Sequence, residues 1–185
     1  MAVARTFTID QFAEKLRSLG EDVRGKALAN SALAGAKVIS NAARENIKEQ
    51  GLIRTRTLSR SLTEQVIEQS ADYVEVEVGT NLEYAAIHEY GGTIRPKSSK
   101  YLAIPVGSYT GSPSKHGDLK LRKTANGNLV MVDASGSVQY VLKSSVTIPA
   151  RPYLRPAVDE NQEEIIETVA KSLEILIEGS FEGAA

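Results

Sequence analysis

The sequence predicts an α+β fold, built as helices, then a run of strands, then a closing helix. Three observations carry this reading. Apolar residues recur at helical spacing over Asp22–Lys48, alternate strictly over Tyr73–Val78, and return to helical spacing after Pro156. Strand and helix do not alternate as they would in a parallel α/β sheet. The expected architecture is therefore an antiparallel or mixed sheet packed against a long N-terminal helix and a C-terminal helix. An extended loop and hairpin, 107–137, is inserted in that plan, and the 185 residues are read as one domain, 1–185.

Thr8 is placed to cap a short helix starting at Ile9, with Asp10 favourable in its first turn and Phe12, Leu16 and Leu19 on one face. A longer helix, from about Asp22 to Lys48, repeats Leu28, Ala32, Ala36, Ile39, Ala43 and Ile47, and Gly51 stops it. Its alanines allow another backbone to approach closely, so it is expected to lie across a sheet. Gly35, in its middle, is a mild liability of helix propensity.

From residue 62 the period changes to two. Val66 begins a short strand and Ser70-Ala71-Asp72 turns. Tyr73–Val78 then returns with Val74, Val76 and Val78 on one face and Tyr73, Glu75 and Glu77 on the other, a half-buried antiparallel hairpin. A helical turn, Tyr84–Tyr90, stops at Gly91-Gly92, and Leu102, Ile104 and Val106 mark a further strand. Gly107–Asp118, rich in Gly, Ser and Pro, reads as a loop, and Asn126-Gly127 as a tight turn before Leu129–Val132. Val138, Tyr140, Leu142, Val146 and Ile148 keep one parity through a strand that bends near Ser144-Ser145. Pro149, Pro152 and Pro156 lead into the final helix. Its apolar stripe is Ile165, Ile166, Val169, Ala170, Leu173, Leu176 and Ile177, with Glu163, Glu164, Glu167, Glu174 and Glu178 mainly outside it.

With 42% hydrophobic and 24% charged residues the chain has the material for a core, which excludes wholesale disorder. The absence of cysteine excludes disulfides, thiolate nucleophiles and cysteine metal sites, and fits a reducing compartment. No apolar run approaches the roughly 18 residues of a membrane span, and no charged-then-apolar signal segment opens the chain, so no membrane partner is expected.

The formal net charge of −1 hides a strong alternation. Residues 1–62 hold eleven Lys/Arg against six Asp/Glu (+5), and residues 63–92 hold none against seven (−7). Residues 93–156 hold ten against two (+8), and residues 157–185 one against eight (−7). A nucleic-acid binder usually shows a basic excess instead. Alternating blocks suit the docking of copies of one protein, where opposite potentials steer and register the contact; solvated faces that never meet explain them equally well.

No constellation of residues supports catalysis, and no enzyme activity or cofactor is expected. His88-Glu89 opens like a zinc-protease signature, but the second histidine that signature needs is Gly92 here. His116 sits in a polar loop, and no serine has an elbow context such as Gly-x-Ser-x-Gly. Gly91-Gly92 is followed by a strand and by no Gly-Lys-Ser/Thr, so it does not cradle phosphate. The paired carboxylates are assigned to exposed faces. Arg54, Arg56 and Arg60 form one basic cluster and Lys120, Arg122 and Lys123 another. Either could meet phosphate, but with no Trp, three Phe and a net acidic chain there is little to hold bases, so solvated faces or pairing with acidic neighbours together explain them better.

Five segments occur in a telling order: Arg54-Thr-Arg-Thr-Leu-Ser-Arg-Ser-Leu62, Val78-Gly-Thr-Asn81, Tyr84-Ala-Ala-Ile-His-Glu-Tyr-Gly-Gly-Thr-Ile-Arg-Pro96, Tyr101-Leu-Ala-Ile-Pro105 and Ile148-Pro-Ala-Arg-Pro-Tyr-Leu-Arg-Pro156. Together they resemble the tail-completion family of long-tailed bacteriophages, whose members also carry minor-tail, virion-morphogenesis or head–tail joining labels. The resemblance spans about residues 8–177 and departs at the polar region 107–137. It implies a virion protein of the neck or tail end, assembled in the host bacterial cytoplasm and forming a six-fold homo-oligomeric ring. That ring would complete the tail, meet the tail terminator or tail tube and the head connector, and leave a channel through which DNA passes without sequence recognition. The expected interface residues are Arg54, Arg56, Arg60, Glu75, Glu77, Lys115, Lys120, Arg122, Lys123, Arg151 and Arg155. The alternative is a nucleic-acid-binding or regulatory module that uses Arg54, Arg56 and Arg60.

Independently of the resemblance, these segments read as scaffold. Gly91-Gly92 allows positive φ or close backbone approach, Tyr84 and Tyr90 pack with wet hydroxyls, and Arg151-Pro152 and Arg155-Pro156 fix the start of the last helix.

Overall fold

A computed structural model of the chain describes residues 20–182 together with 13–14 and 17–18. The short helix expected from Ile9, with Phe12, Leu16 and Leu19 on one face, lies outside the described residues apart from helical backbone at 13–14 and 17–18. The fold class is α+β, and the chain divides into two compact units: 1–89 with 151–185, and 90–150. The expected 107–137 insertion lies within the second unit.

The first unit is organised by helix α1 (Glu21–Glu49). After it come α2 (Thr57–Arg60), strands β1 (Thr63–Gln69) and β2 (Val74–Gly79), and α3 (Ala85–Tyr90), which ends at the boundary. The unit closes with α4 (Leu154–Asp159) and α5 (Gln162–Glu182). Of the expected α1 face, Ala36, Ala43 and Ile47 are buried, but so are Ala27, Ala29, Ser31 and Ser40. The helix is covered on more than one side because it packs against the β1–β2 hairpin and also against α4 and α5. One core cluster gathers Ala43, Ile47, Leu58, Leu62, Ala85, Tyr153 and Ala157; a second joins Ala27 to Leu173 and Ile177.

Gly35, a liability by propensity, has a packing role. A Cβ there would lie 2.6 Å from Val169 Cγ2, so glycine sets how closely α1 and α5 cross. That crossing accepts Ile165, Val169, Leu173 and Ile177. It leaves Ile166, expected in the buried stripe, 68% exposed, and Ala170 exposed as well. The last helix is also divided. Pro156 is tolerated in the first turn of α4, and the chain then restarts as α5 after Asn161, whose side-chain amide donates to Ala157 O (2.9 Å).

The β1–β2 hairpin is antiparallel, with Val66 opposite Val76 and the β2 valines on the covered face. Its alternation explains this, since a period of two puts every second side chain on one side.

The second unit holds two antiparallel sheets. Strand β3 (Gly92–Ile94) pairs with β8 (Val146–Ile148). Strands β4 (Leu102–Pro105), β7 (Val138–Lys143), β6 (Leu129–Val132) and β5 (Lys120–Lys123) form a four-stranded sheet in that order. The single bent strand expected from Val138 to Ile148 is thus two strands in two sheets, parted at Ser144-Ser145. Val106 falls outside β4 and is 55% exposed. Gly91 has φ +70, and a Cβ there would lie 2.7 Å from Ala150 N; side chains other than glycine meet both a conformational and a steric penalty at this position.

Candidate functional site

The residues that match the family segments form a lock, not a reaction centre. Glu89, at the end of α3, is 8% exposed. Its carboxylate accepts three backbone N–H groups at the start of α4: Tyr153 (2.8 Å), Leu154 (2.9 Å) and Arg155 (3.0 Å). A carboxylate there satisfies donors that a helix start leaves unpaired and complements its positive end. The same segment is held twice more, from α1 and from its C-cap residue Gln50. Asn46 donates to Tyr153 O (3.0 Å) and Gln50 donates to Pro152 O (2.6 Å), while the Arg151 N–H donates to His88 O (2.7 Å). In the sequence Glu89 is half of a failed zinc signature and one residue of the Tyr84–Pro96 segment, with no role of its own. No local pattern points to its partners, which are backbone groups 64 to 66 residues away.

A second polar knot ties α1 to β1. Ser40 donates to the Glu64 carboxylate, and Arg44 donates to Ser40 Oγ (3.0 Å) and Leu62 O (2.9 Å) with Glu64 3.6 Å away. Burial pushes the Glu64 carboxyl up, but the hydrogen bond from Ser40 and the charge of Arg44 outweigh it and hold the group below its ordinary value.

In the second unit the loop expected over Gly107–Asp118 is ordered by its own side chains. Tyr109 stacks on His116 (4.3 Å between ring centres) and donates to Asp118 (2.6 Å). Tyr140, fully buried on the sheet, donates to Thr110 O (3.4 Å). The side chain of Gln139, 4% exposed, accepts from Tyr109 N (3.2 Å) and donates to Asp133 (2.6 Å). The Asp133 carboxyl lies below its ordinary value, chiefly through the hydrogen bond from Ser135. Anchored this way, Gly111–Ser114 walls one side of a groove of about 700 Å³. The groove's other wall runs from Ile94 to Tyr101, and its floor includes Ala103, Met131 and Leu142.

Every expected interface residue is exposed. Arg54 and Arg56 precede α2 and Arg60 ends it; Arg56 has φ +58, a left-handed conformation uncommon for a side-chain-bearing residue. Glu75 and Glu77 lie on the open face of β2, where Glu75 accepts from the Tyr73 hydroxyl (3.0 Å). Lys115 ends a 3-10 turn, Pro113–Lys115. Lys120 and Arg122 point to one face of edge strand β5 and Lys123 to the other, so this basic cluster does not converge. Arg151 and Arg155 flank the lock and enter it through their backbone N–H groups.

The structure also regroups the charge. Residues 90–150 hold eight Lys/Arg and two Asp/Glu, +6, and the rest of the chain holds fourteen and twenty-one, −7. The four alternating blocks thus fall into one basic unit and one acidic unit.

Among the described residues no group of three or more His, Asp or Glu is placed to hold a metal ion, and no helix is long and apolar enough to cross a membrane. Comparison with known proteins adds one finding. The sequence model of the phage virion morphogenesis family matches residues 25–174, a stretch that includes the Glu89 lock, the Ser40–Glu64 knot and all of the basic unit. No curated protein and no solved structure matches the chain.

Proposed function

The chain belongs to the phage virion morphogenesis family, and we propose that within it the chain is a non-enzymatic subunit of the neck or tail end of a long-tailed phage. Membership gives it a structural or assembly role in the phage particle and associates it with the virion. The finer reading is that copies form a ring that completes the tail and joins it to the head connector, meeting the tail tube or terminator below and leaving a channel for DNA. A six-fold ring follows from the resemblance of the ordered segments to neck and tail proteins.

The observation that carries the reading is the family match over residues 25–174, which takes in nearly all of the described residues. The geometry fits a mechanical role. Glu89, Asn46, Gln50 and Arg44 use their hydrogen bonds to fix segments distant in sequence, as a subunit that transmits load would need. The charged residues expected at the interface remain exposed and available for contact.

Particles assembled without this chain test the reading by electron microscopy. Filled heads and separate tails are expected, with infectivity restored when the chain is supplied in trans; complete infectious particles would overturn it. A salt series of duplex-DNA binding tests the rival module based on Arg54, Arg56 and Arg60. A subunit of this kind binds weakly, whereas tight binding that falls steeply with salt and is lost on replacing those arginines would favour the rival.

A further inference from the structure

We infer that copies of this chain join head to tail, the acidic exposed face of α5 on one copy lying in the basic groove of residues 90–150 on the next. This deepens the structural reading above and rests on it.

The groove has the make-up of a docking site for a helix. In the four-stranded sheet Ala103 is opposite Leu142, Leu142 opposite Leu129, and Tyr140 opposite Met131. Cross-strand partners share a face, so Ala103, Leu142 and Met131 present one apolar floor. Leu121, opposite Met131 on β5, extends that floor and is 60% exposed. Arg95, Lys97 and Lys100 stand along the far wall, all exposed, and no Asp or Glu lines the groove.

The counterpart is the outer face of α5, which over Gln162–Gly179 carries Glu163, Glu164, Glu167, Glu174 and Glu178 against the single Lys171. At 100° per residue Glu163, Glu167, Glu174 and Glu178 fall within one narrow strip, about 22 Å long at 1.5 Å per residue. Ile166 and Ala170 border it, and Ile166, 68% exposed, is the most exposed large apolar side chain of its unit among the described residues. An apolar ridge beside an acidic strip matches an apolar floor beside a basic wall.

Charge also selects which patches meet. Groove against groove, or helix against helix, would set like charge facing like within the roughly 8 Å over which charges act at physiological salt. The pairing of +6 with −7 favours two different patches meeting. Such contacts repeat around a ring if the rotation closes. Phosphate would also be drawn to Arg95, Lys97 and Lys100, but the apolar floor favours side chains over a nucleic-acid backbone.

Sedimentation velocity on the full chain decides between these. The wild type should self-associate. Lys97→Glu with Lys100→Glu should weaken association by about tenfold or more, and Glu167→Lys with Glu178→Lys likewise. All four substitutions in one chain should restore it to within about threefold, because both patches then carry reversed, complementary charge. Glu68→Lys with Glu83→Lys, an equal charge change at exposed positions outside both patches and outside the expected interface set, should leave association within the same threefold range. A monomeric wild type, failure of the fourfold variant to recover, or an equal loss from this control change would each overturn the inference. So would a groove reversal that spares association and abolishes salt-sensitive DNA binding, which would assign the groove to nucleic acid. Particle assembly separates the two levels. If association follows these faces but particles lacking the chain are complete, the structural reading falls. If particles need the chain but reversals leave association intact, only the docking inference falls.

Discussion

Replacing Glu89 removes the acceptor of three backbone N–H groups at once. In Glu89→Ala the donors of Tyr153, Leu154 and Arg155 lose partners at 2.8, 2.9 and 3.0 Å, the first of them in a buried setting. An unpaired buried donor costs about 1–3 kcal/mol and a hydrogen bond to a charged group contributes about 1.5–3 kcal/mol, so with one donor buried and two partly buried the variant should lose about 3–5 kcal/mol. For a chain of this size that is a fall in Tm on the order of 10 °C. Glu89→Gln keeps one carbonyl oxygen, which can still accept from Tyr153 and Leu154, but turns an amide toward Arg155 N–H. It should lose about 1–2 kcal/mol, or roughly 4 °C. Thermal melting followed by far-UV circular dichroism at the helical band reports the unit that contains the lock. Melting of Glu89→Ala within about 2 °C of wild type would contradict this, because the lock would then contribute no more than an ordinary surface cap.

Three further predictions rest on particular contacts. Gly35→Ala gains helix propensity but drives a Cβ into Val169, so it should destabilise by about 1 kcal/mol net, and adding Val169→Ala should relieve the clash; denaturant melts of the four-member cycle measure the coupling. Because the folded-state Glu64 carboxyl lies below its ordinary value of 4.5, its contribution is present above that pH and is lost as the pH falls through the lower folded value. Glu64→Gln should therefore flatten the loss of stability on acidification below about pH 4.5, read from melts between pH 3 and 7. Tyr109→Ala removes both the His116 stack and the Asp118 hydrogen bond, so limited trypsin digestion should cut after Lys115 several times faster while far-UV dichroism stays unchanged.

Much of the fold was legible because local patterns encode it. The strict alternation of Tyr73–Val78 placed three valines inward and Glu75 and Glu77 outward, and that is their arrangement in the hairpin. The bounds of α1 fell within a residue of Glu21 and Glu49. Parity could not show that Val138–Ile148 changes sheets, since both strands preserve it across the Ser144-Ser145 break. Nor could periodicity separate Ile165 from Ile166. Adjacent isoleucines at the edge of a stripe are sorted by the width of the partner's groove, and Gly35 makes that crossing close. The charge blocks were visible, but their collection into one basic and one acidic unit depends on residues 151–185 rejoining 1–89. The lock was the least legible feature, because main-chain donors carry no residue identity. Both halves of it lie in segments that carry the family resemblance, but nothing in those segments paired them.

The proposed function puts this chain at the neck or tail end of the particle. Immunogold labelling of intact virions with antibody raised against the exposed 107–118 loop tests it most directly. Gold is expected at the junction of head and tail or at the adjoining tail end, and none on particles made without the chain. Gold confined to the capsid shell or the distal tail tip, or purified infectious virions that carry none of the protein, would contradict it.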